Sequence, residues 1–199
     1  YNKYMKSKMP FVILKAAISL DGKIATRGND SKYVSGVESR TYVHRLRSEV
    51  DAVMVGINTV LIDDPKLTPR LVKGKDPFKI VVDSGLKIPK NCNLMKNPEK
   101  LLIATTGLAS KIRIRSLESH RIKIIVCKAK KGMVDLKDLL LRLGKLQFTS
   151  IMIEGGSKLN TSAIKERVVD KMIIFITPKV VGKGLEFVGD LGTKNIKKA

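Results

Sequence analysis

The sequence has no tryptophan, only two cysteines and no long uninterrupted apolar run. Cys92 and Cys127 are too few for a disulfide framework or a four-ligand zinc site, which indicates a reducing, cytoplasmic setting. Lys15 interrupts the apolar run over residues 11–20, and no stretch approaches the roughly 20 residues that cross a bilayer. We therefore expect no membrane partner. With 15 glycines and 7 prolines in no regular repeat, collagen-like and mucin-like classes are excluded.

Negative charge is also scarce, because 18 Asp and Glu residues stand against 39 Lys and Arg residues, for a net charge of +21. Such a surface attracts polyanions. Three explanations stay open at this point: solubility, anionic small-molecule ligands, and nucleic acid. Nucleic acid is the weakest of them, since aromatic residues make up only 5% of the chain and offer few rings for stacking on bases. The basic residues are also dispersed along the chain.

The length of 199 residues and the apolar content of 43% fit one domain with a sizeable core. We expect residues 11–199 to form this domain, after a ragged basic lead-in over residues 1–10. Short apolar runs predict strands, and amphipathic stretches between them predict helices. This alternation predicts an α/β fold in which helices cover both faces of a mostly parallel sheet.

The pattern of apolar and polar residues predicts where each element lies along the chain. Residues 23–33 are rich in Gly, Asn, Asp and Ser and predict a loop. The predicted strands cover residues 11–19, 51–57, 78–83, 101–105, 122–127, 149–154 and 168–177. The predicted helices begin at a capping box formed by Ser35 and Glu38, cover residues 109–118, follow Asp135 as a cap, and cover residues 157–167. The first of these helices is expected to bury Tyr42, Val43, Leu46 and Val50.

The strongest motif is a buried strand that runs into Gly155 and Gly156, with a helix starting directly afterwards. Glycine allows a phosphate to approach the backbone closely, and a helix N-terminus offers free N–H groups. An ordinary tight turn remains the alternative, because neither the dinucleotide fingerprint nor the P-loop motif is present. Glu154, at the end of the strand, is either an acceptor for a substrate's amino groups or a helix cap.

A second motif covers residues 56–70, where a strand end is followed by polar residues, paired carboxylates and then Arg70. The guanidinium fork of arginine suits a phosphate, although a turn with one more surface cation explains the pattern equally. Arg47 follows a core-facing leucine and is expected to be exposed. His44 and His120 are expected to face solvent or to be satisfied within the core.

Five blocks occur in one order: residues 15–23, 29–33, 56–70, 82–84 and 154–156. Together they resemble the pyrimidine reductases of riboflavin biosynthesis, over approximately residues 11–189. The resemblance is greatest to the stand-alone archaeal type, since the zinc-deaminase signature of the bacterial fusion proteins is missing. It implies a dihydrofolate-reductase-like fold and a homodimer, with no metal ion.

The resemblance also implies a reaction. A hydride passes from NADPH (NADH is possible) to the sugar C1′ of a phosphorylated aminopyrimidine, and a ribosylamino group becomes ribitylamino. No catalytic side chain is assigned, although Asp63 and Glu154 are the acids expected nearest to the reaction. Cofactor binding is implied for Ala17, Tyr33, Thr59, Asp63, Asp83, Ser84, Gly85, Leu86, Gly155, Gly156, Ser157 and Lys158. Substrate binding is implied for Ser31, Arg47, Leu67, Arg70 and Glu154, with Arg47 and Arg70 as partners of the ribose phosphate.

Several alternatives stay open. Another reductase of the same fold, including dihydrofolate reductase, is the nearest competitor; Glu154 and residues 63–70 favour an aminopyrimidine ribose phosphate. The sequence does not distinguish a 2-amino substrate from a deaminated one, and Lys128, Lys130 and Lys131 are only candidates for a cofactor 2′-phosphate. Because the family usually continues through a final strand or two, we expect either that the sequence is trimmed or that the C-terminal edge of the sheet is incomplete.

Overall fold

The computed structural model describes residues 2–31 and 36–195. Seven strands form the central sheet: β1 (Phe11–Ser19), β3 (Ala52–Gly56), β4 (Phe78–Val82), β5 (Leu101–Thr106), β6 (Lys123–Cys127), β9 (Ser150–Ile153) and β10 (Lys171–Thr177). Two small antiparallel pairs join β2 (Lys23–Thr26) to β11 (Gly184–Glu186), and β7 (Ala129–Lys130) to β8 (Met133–Val134). The helices are α1 (Asn2–Ser7), α2 (Val37–Glu49), α3 (Ile57–Asp63), α4 (Lys111–Glu118), α5 (Leu136–Lys145) and α6 (Ser157–Lys165), with 3₁₀ turns at Asn93–Lys96 and Pro98–Lys100.

The central sheet is parallel throughout, with the strand order β10-β1-β9-β3-β4-β5-β6. Parallel strands that are covered on both faces read as continuous apolar runs, and all six residues of β5 are buried. The predicted α/β architecture with a mostly parallel sheet is confirmed.

Two apolar cores lie on the two faces of the sheet. On one face, Leu139 and Leu143 of α5 and Leu159 of α6 pack against alternate side chains of the strands. On the other face, Leu46 of α2 and Leu117 of α4 pack against the remaining side chains. The helices therefore cover both faces, as the alternation of elements predicted.

The cap of α5 was also predicted correctly. The Asp135 carboxylate accepts hydrogen bonds from the backbone N–H groups of Lys137 and Asp138. These groups have no partner within the helix, and the carboxylate satisfies them. Together with its apolar face, this cap explains why α5 begins at Leu136.

Three expectations differ from the structure, and a fourth is not tested by it. Residues 23–26 form β2 rather than a loop, because they pair with β11 about 160 residues later in the chain. Residue 57 begins α3 rather than ending a strand, since the burial of Val60 favours a short helix there. Tyr42 is 44% exposed rather than buried, with its ring edge-on to that of Phe175. The predicted cap at Ser35 lies outside the described residues.

The expected irregular lead-in contains helix α1, which packs onto α5. The Tyr4 hydroxyl donates to the carbonyl of Gly144, and the Lys3 ammonium pairs with Asp170. A Cβ atom at Gly144 would lie 1.8 Å from the carbonyl oxygen of Lys8, so glycine is needed for this close approach. Within residues 2–31 and 36–195, no helix has the length and apolar character that a bilayer crossing requires.

Candidate active site

The main cleft opens at the carboxyl ends of β3 and β9, where the chain continues from the two strands onto opposite faces of the sheet. These strands are neighbours in the sheet, but α3 follows β3 onto one face and α6 follows β9 onto the other. In open α/β sheets, ligands bind in the crevice at the carboxyl ends of the strands, where such a switch occurs. Here the crevice has a volume of about 750 Å³, which is within the usual range for small-molecule sites.

Gly155 and Gly156 form one wall of this cleft at the start of α6. A Cβ atom at Gly155 would lie 2.9 Å from Leu159 Cδ2, so a side chain there would disturb the helix. A Cβ atom at Gly156 would lie 3.5 Å from Thr59 Oγ1, which places the Gly156 backbone opposite α3. No side chain caps the first turn of α6 among the described residues. Its N–H groups and the positive end of its dipole therefore suit an anion such as a phosphate.

The turn after β4 forms a second wall. The Asp83 carboxylate accepts a hydrogen bond from the Ile88 N–H through Oδ2, at 2.8 Å. Its Oδ1 is buried and has no partner within the part of the chain that the structure describes. Ser84 Oγ accepts from the Val134 N–H, which joins this turn to β8. Asp83 and Ser84 both line the cleft, so Asp83 Oδ1 is available to a hydroxyl donor of a ligand.

Glu154 lies at the end of β9 and is held by a two-point ion pair. Its carboxylate accepts from Arg47 Nε at 2.7 Å and from Arg47 Nη2 at 2.9 Å. Lys15 Nζ of β1 lies 3.7 Å from Oε2. The side chains of Arg47 and Glu154 are 13% and 8% exposed, so the expectation of an exposed Arg47 was wrong. A bidentate pair of this kind fixes the orientation of the carboxylate.

The protonation state of Glu154 follows from its surroundings. Burial by itself would raise the pKa of the carboxyl, but the hydrogen bonds and charge of Arg47 outweigh it. Lys15 and His44 act in the same direction, so the pKa lies below its ordinary value. The cleft therefore contains an ionised, oriented acceptor at neutral pH.

Residues 67–71, which we name the Arg70 segment, are held at several points. Leu67 is buried in the core with a φ of +54°, and Arg47 Nη1 donates to the Thr68 carbonyl at 3.2 Å. The Leu71 N–H donates to His44 Nδ1 at 3.3 Å. Just before the segment, Asp64 accepts hydrogen bonds from the backbone and the side chain of Asn93. Arg70 itself is exposed.

Most of the predicted site residues meet in this one cleft, but four do not line it. Leu67 and Leu86 are buried in the core, Arg47 lies behind Glu154, and Arg70 lies on the exposed Arg70 segment. Tyr33 lies outside the described residues. The predicted residues that line the cleft are Ala17, Ser31, Thr59, Asp63, Asp83, Ser84, Gly85, Glu154, Gly155, Gly156, Ser157 and Lys158.

Lys15 is the main residue that the sequence reading missed. It lines the cleft from a largely apolar strand. A single lysine inside such a strand is unusual and could have identified it as a site residue. Arg40 and Lys87 also line the cleft. Cations thus face the cleft from several elements, which favours an anionic ligand. The described residues contain no group of three or more His, Cys, Asp or Glu side chains that suits a metal ion.

Asp21 explains the motif over residues 19–23 in structural terms. Its carboxylate accepts from Ser19 Oγ and from the N–H groups of Val181 and Gly182. These bonds lower the pKa of Asp21 to about 2, with Ser19 as the largest cause. Asp21 thereby fixes the chain after β10 beside the turn after β1.

Comparison with known proteins agrees with this geometry. Residues 10–199 match the RibD C-terminal domain. The chain is 41% identical over 176 residues to 2,5-diamino-6-ribosylamino-4(3H)-pyrimidinone 5′-phosphate reductase of Methanothermobacter thermautotrophicus, covering 87% of this chain and 80% of that protein. It is 38% identical over 180 residues to riboflavin biosynthesis protein RibD of Actinobacillus pleuropneumoniae, covering 90% of this chain and 48% of that protein.

A solved structure shows the same fold. The RibD structure of Acinetobacter baumannii superimposes with a TM-score of 0.84 at 27% identity, over 99% of this chain and 54% of that one. The chain thus spans about half the length of the RibD proteins that it matches. The superposition confirms the dihydrofolate-reductase-like fold. The chain belongs to the RibD C-terminal domain family, which confirms the predicted resemblance to the pyrimidine reductases of riboflavin biosynthesis.

Proposed function

We propose that the protein reduces the ribosylamino side chain of a phosphorylated aminopyrimidine to the ribitylamino form in riboflavin biosynthesis. The observation that carries this proposal is the cleft at the β3–β9 switch, where the Gly156 backbone and the ionised Glu154 lie side by side. The first offers a phosphate-binding backbone, and the second offers an acceptor for amino groups. The activity of the Methanothermobacter relative supports the same assignment.

A nicotinamide cofactor fits the glycine-lined side of the cleft. The backbone at Gly156 faces space that a Cβ atom would partly fill, and Asp83 Oδ1 is a buried acceptor without a partner among the described residues. The residues that would hold the cofactor are Thr59, Asp83, Ser84, Gly155, Gly156 and Ser157. When bound, the cofactor supplies the hydride that the sugar C1′ receives.

The charged side of the cleft suits the substrate. Glu154 is fixed by Arg47, so it can orient an aminopyrimidine through its amino groups without first reorganising. Arg70 is exposed on the segment that Arg47 and His44 hold, and its guanidinium can pair with a phosphate. The protein's role in this proposal is to bind, to orient and to exclude water, and no side chain needs to act as a nucleophile.

The finer assignments belong to the same proposal. We infer NADPH rather than NADH, since the protein carries a net charge of +21 and Lys87 lines the cleft beside the turn after β4. A homodimer is inferred from the family. The cytoplasmic location stays a prediction from cysteine usage.

The test is a reduction assay with 2,5-diamino-6-ribosylamino-4(3H)-pyrimidinone 5′-phosphate and NADPH labelled with deuterium at the transferring position. We expect deuterium in the ribityl product at C1′, and a lower rate with NADH. Dihydrofolate is the control substrate for the competing reductase of the same fold. Turnover of dihydrofolate, with none of the pyrimidine, would overturn the proposal.

A further inference from the structure

His44 and Arg47 lie one turn apart on α2, and both contact the Arg70 segment. His44 is 6% exposed, and its Nδ1 accepts the Leu71 N–H at 3.3 Å. Arg47 Nη1 donates to the Thr68 carbonyl at 3.2 Å. Residues three positions apart on a helix share a face. This face of α2 therefore holds the chain on both sides of Arg70.

The contact with Leu71 defines the protonation state of the imidazole. A ring nitrogen that accepts a hydrogen bond carries no proton, so the proton of neutral His44 is on Nε2. Protonation would place an N–H group at Nδ1, directly against the Leu71 N–H. The hydrogen bond would be lost, and the Arg70 segment would lose one of its anchors.

The surroundings of His44 favour the neutral ring. Burial is the largest cause that lowers its pKa, and the charges of Arg47, Arg70 and Lys15 lower it further. Glu154, at the end of β9, opposes this shift. The charged groups thus face the imidazole from α2, from the Arg70 segment, from β1 and from β9, and their combined effect keeps it neutral at pH 7.

We propose that neutral His44 is a positioning residue, which holds the Arg70 segment through the Leu71 N–H so that Arg70 meets the phosphate of the substrate. This proposal rests on the proposed function, because it assigns the phosphate to Arg70. It predicts that substrate affinity falls when the imidazole is protonated. Cofactor affinity should change little, since the hydrogen bonds that hold this segment run to α2, whereas those of the turn after β4 run to Ile88 and Val134.

A merely structural histidine would behave differently. Its replacement would lower the stability of the whole fold and affect substrate and cofactor alike. The split between substrate KM and cofactor Kd therefore separates the two roles, as does rescue by Asn. The Asn side-chain oxygen can take the place of Nδ1 as an acceptor, but it does not titrate in this range.

The experiment compares wild type with His44→Ala, His44→Asn and His120→Asn, from about pH 5.5 to 8. His120 is the matched control, because it is exposed and is the only other histidine in the chain. We expect His44→Ala to raise KM for the pyrimidine phosphate about tenfold, as for loss of one buried hydrogen-bond partner. NADPH Kd should stay within about twofold, and His44→Asn should restore most of the substrate affinity.

The pH profile gives the sharper result. Wild type and His120→Asn should lose substrate affinity on the acid side, relative to His44→Asn measured at the same pH. This ratio cancels the ionisation of the substrate's own phosphate, whose second pKa is about 6. If the ratio of wild-type KM to His44→Asn KM did not change with pH, the proposal would be overturned, even if His44→Ala failed to fold. Equal changes in substrate KM and cofactor Kd would overturn it too.

Hydrogen exchange at the Leu71 amide separates this proposal from the proposed function. We expect the protection factor of this amide (the intrinsic exchange rate divided by the measured rate) to fall with the pH in wild type and to stay constant in His44→Asn, without any substrate present. Loss of reductase activity in wild type, with this exchange pattern intact, would overturn the proposed function and leave the His44 contact established. If wild type and His44→Asn showed the same exchange behaviour at every pH, the positioning role would be overturned, whether or not the protein has reductase activity.

Discussion

The two sides of the cleft are built from different materials. The glycine side (Gly155, Gly156 and the turn after β4) consists largely of backbone at strand ends. The charged side is formed by Lys15 and Glu154, with Arg47, His44 and the Arg70 segment behind them, and these groups meet from distant parts of the chain. Strand ends are fixed by the sheet itself, whereas the charged side depends on each partner being present. Removing one charged partner should therefore destabilise the charged side, whereas the glycine side should respond mainly to substitutions that add a side chain at its backbone.

The strongest test of this difference is Arg47→Ala. It leaves the Glu154 carboxylate buried without its bidentate partner, and breaking such a pair costs about 3 kcal/mol or more. We expect the free energy of unfolding in urea to fall by about that amount. Arg45→Ala, on the exposed face of the same helix, is the matched control and should have little effect. A loss of similar size in both variants would show that the helix, rather than the ion pair, is responsible.

Arg70→Ala should separate the two sides functionally. Loss of a charge-assisted contact to phosphate should raise substrate KM by roughly ten- to a hundredfold, with cofactor Kd unchanged. Steady-state kinetics and fluorescence titration with NADPH measure the two quantities. Lys66→Ala removes an exposed cation just before the same segment and controls for the general loss of charge. If both constants rose together, Arg70 would not serve the substrate alone.

Gly156→Ala tests the glycine side. The added Cβ would lie 3.5 Å from Thr59 Oγ1, an ordinary contact that the fold accommodates. It would nevertheless occupy the space where a phosphate approaches the backbone, so we expect NADPH Kd to rise about tenfold with little change in Tm. Gly107→Ala is the control, because nothing lies within 4 Å of its added Cβ. Unchanged affinity in Gly156→Ala would mean that the dinucleotide binds elsewhere.

Lowering the pH should reduce the stability that Glu154 contributes, by less than the substitutions above. Because the folded-state pKa of Glu154 is below its ordinary value, its ionised form stabilises the fold fully above the unfolded-state pKa. This contribution is lost as the pH falls through the folded-state pKa. The difference in unfolding free energy between wild type and Glu154→Gln should therefore shrink in acid. A difference independent of pH would assign the effect of the substitution to packing.

Features that depend on neighbours in the chain could be predicted from the sequence, whereas contacts between distant residues could not. The Gly155–Gly156 junction and the Asp135 cap were predicted because each depends on residues that are neighbours in the chain. The pairing of β2 with β11 and the ion pair of Arg47 with Glu154 join residues more than 100 positions apart. No periodicity or local propensity encodes such partners, so they emerge only once the sheet brings the elements together.

The predicted site followed this rule as well. Thr59 and Asp83, which the resemblance assigned to the cofactor, follow β3 and β4 and line the cleft, because the sheet itself places the residues after its strands. The exposure of Arg47 was predicted wrongly and Lys15 was missed, since the surroundings of both residues are set by other elements. From its sequence position, a cation next to a core residue is expected to be exposed, because the buried carboxylate that pairs with it belongs to another element.

The strand order also determines when each strand of the sheet can pair during synthesis of the chain. β1 is made first among the sheet strands, yet its two partners are β9 and β10, which end at residues 153 and 177. Strands β3 to β6 can associate in the order in which they leave the ribosome, while β1 waits for the last quarter of the chain. Contacts over such separations form slowly. The half of the sheet that carries Lys15 is thus completed last, and with it the crevice between the two sides.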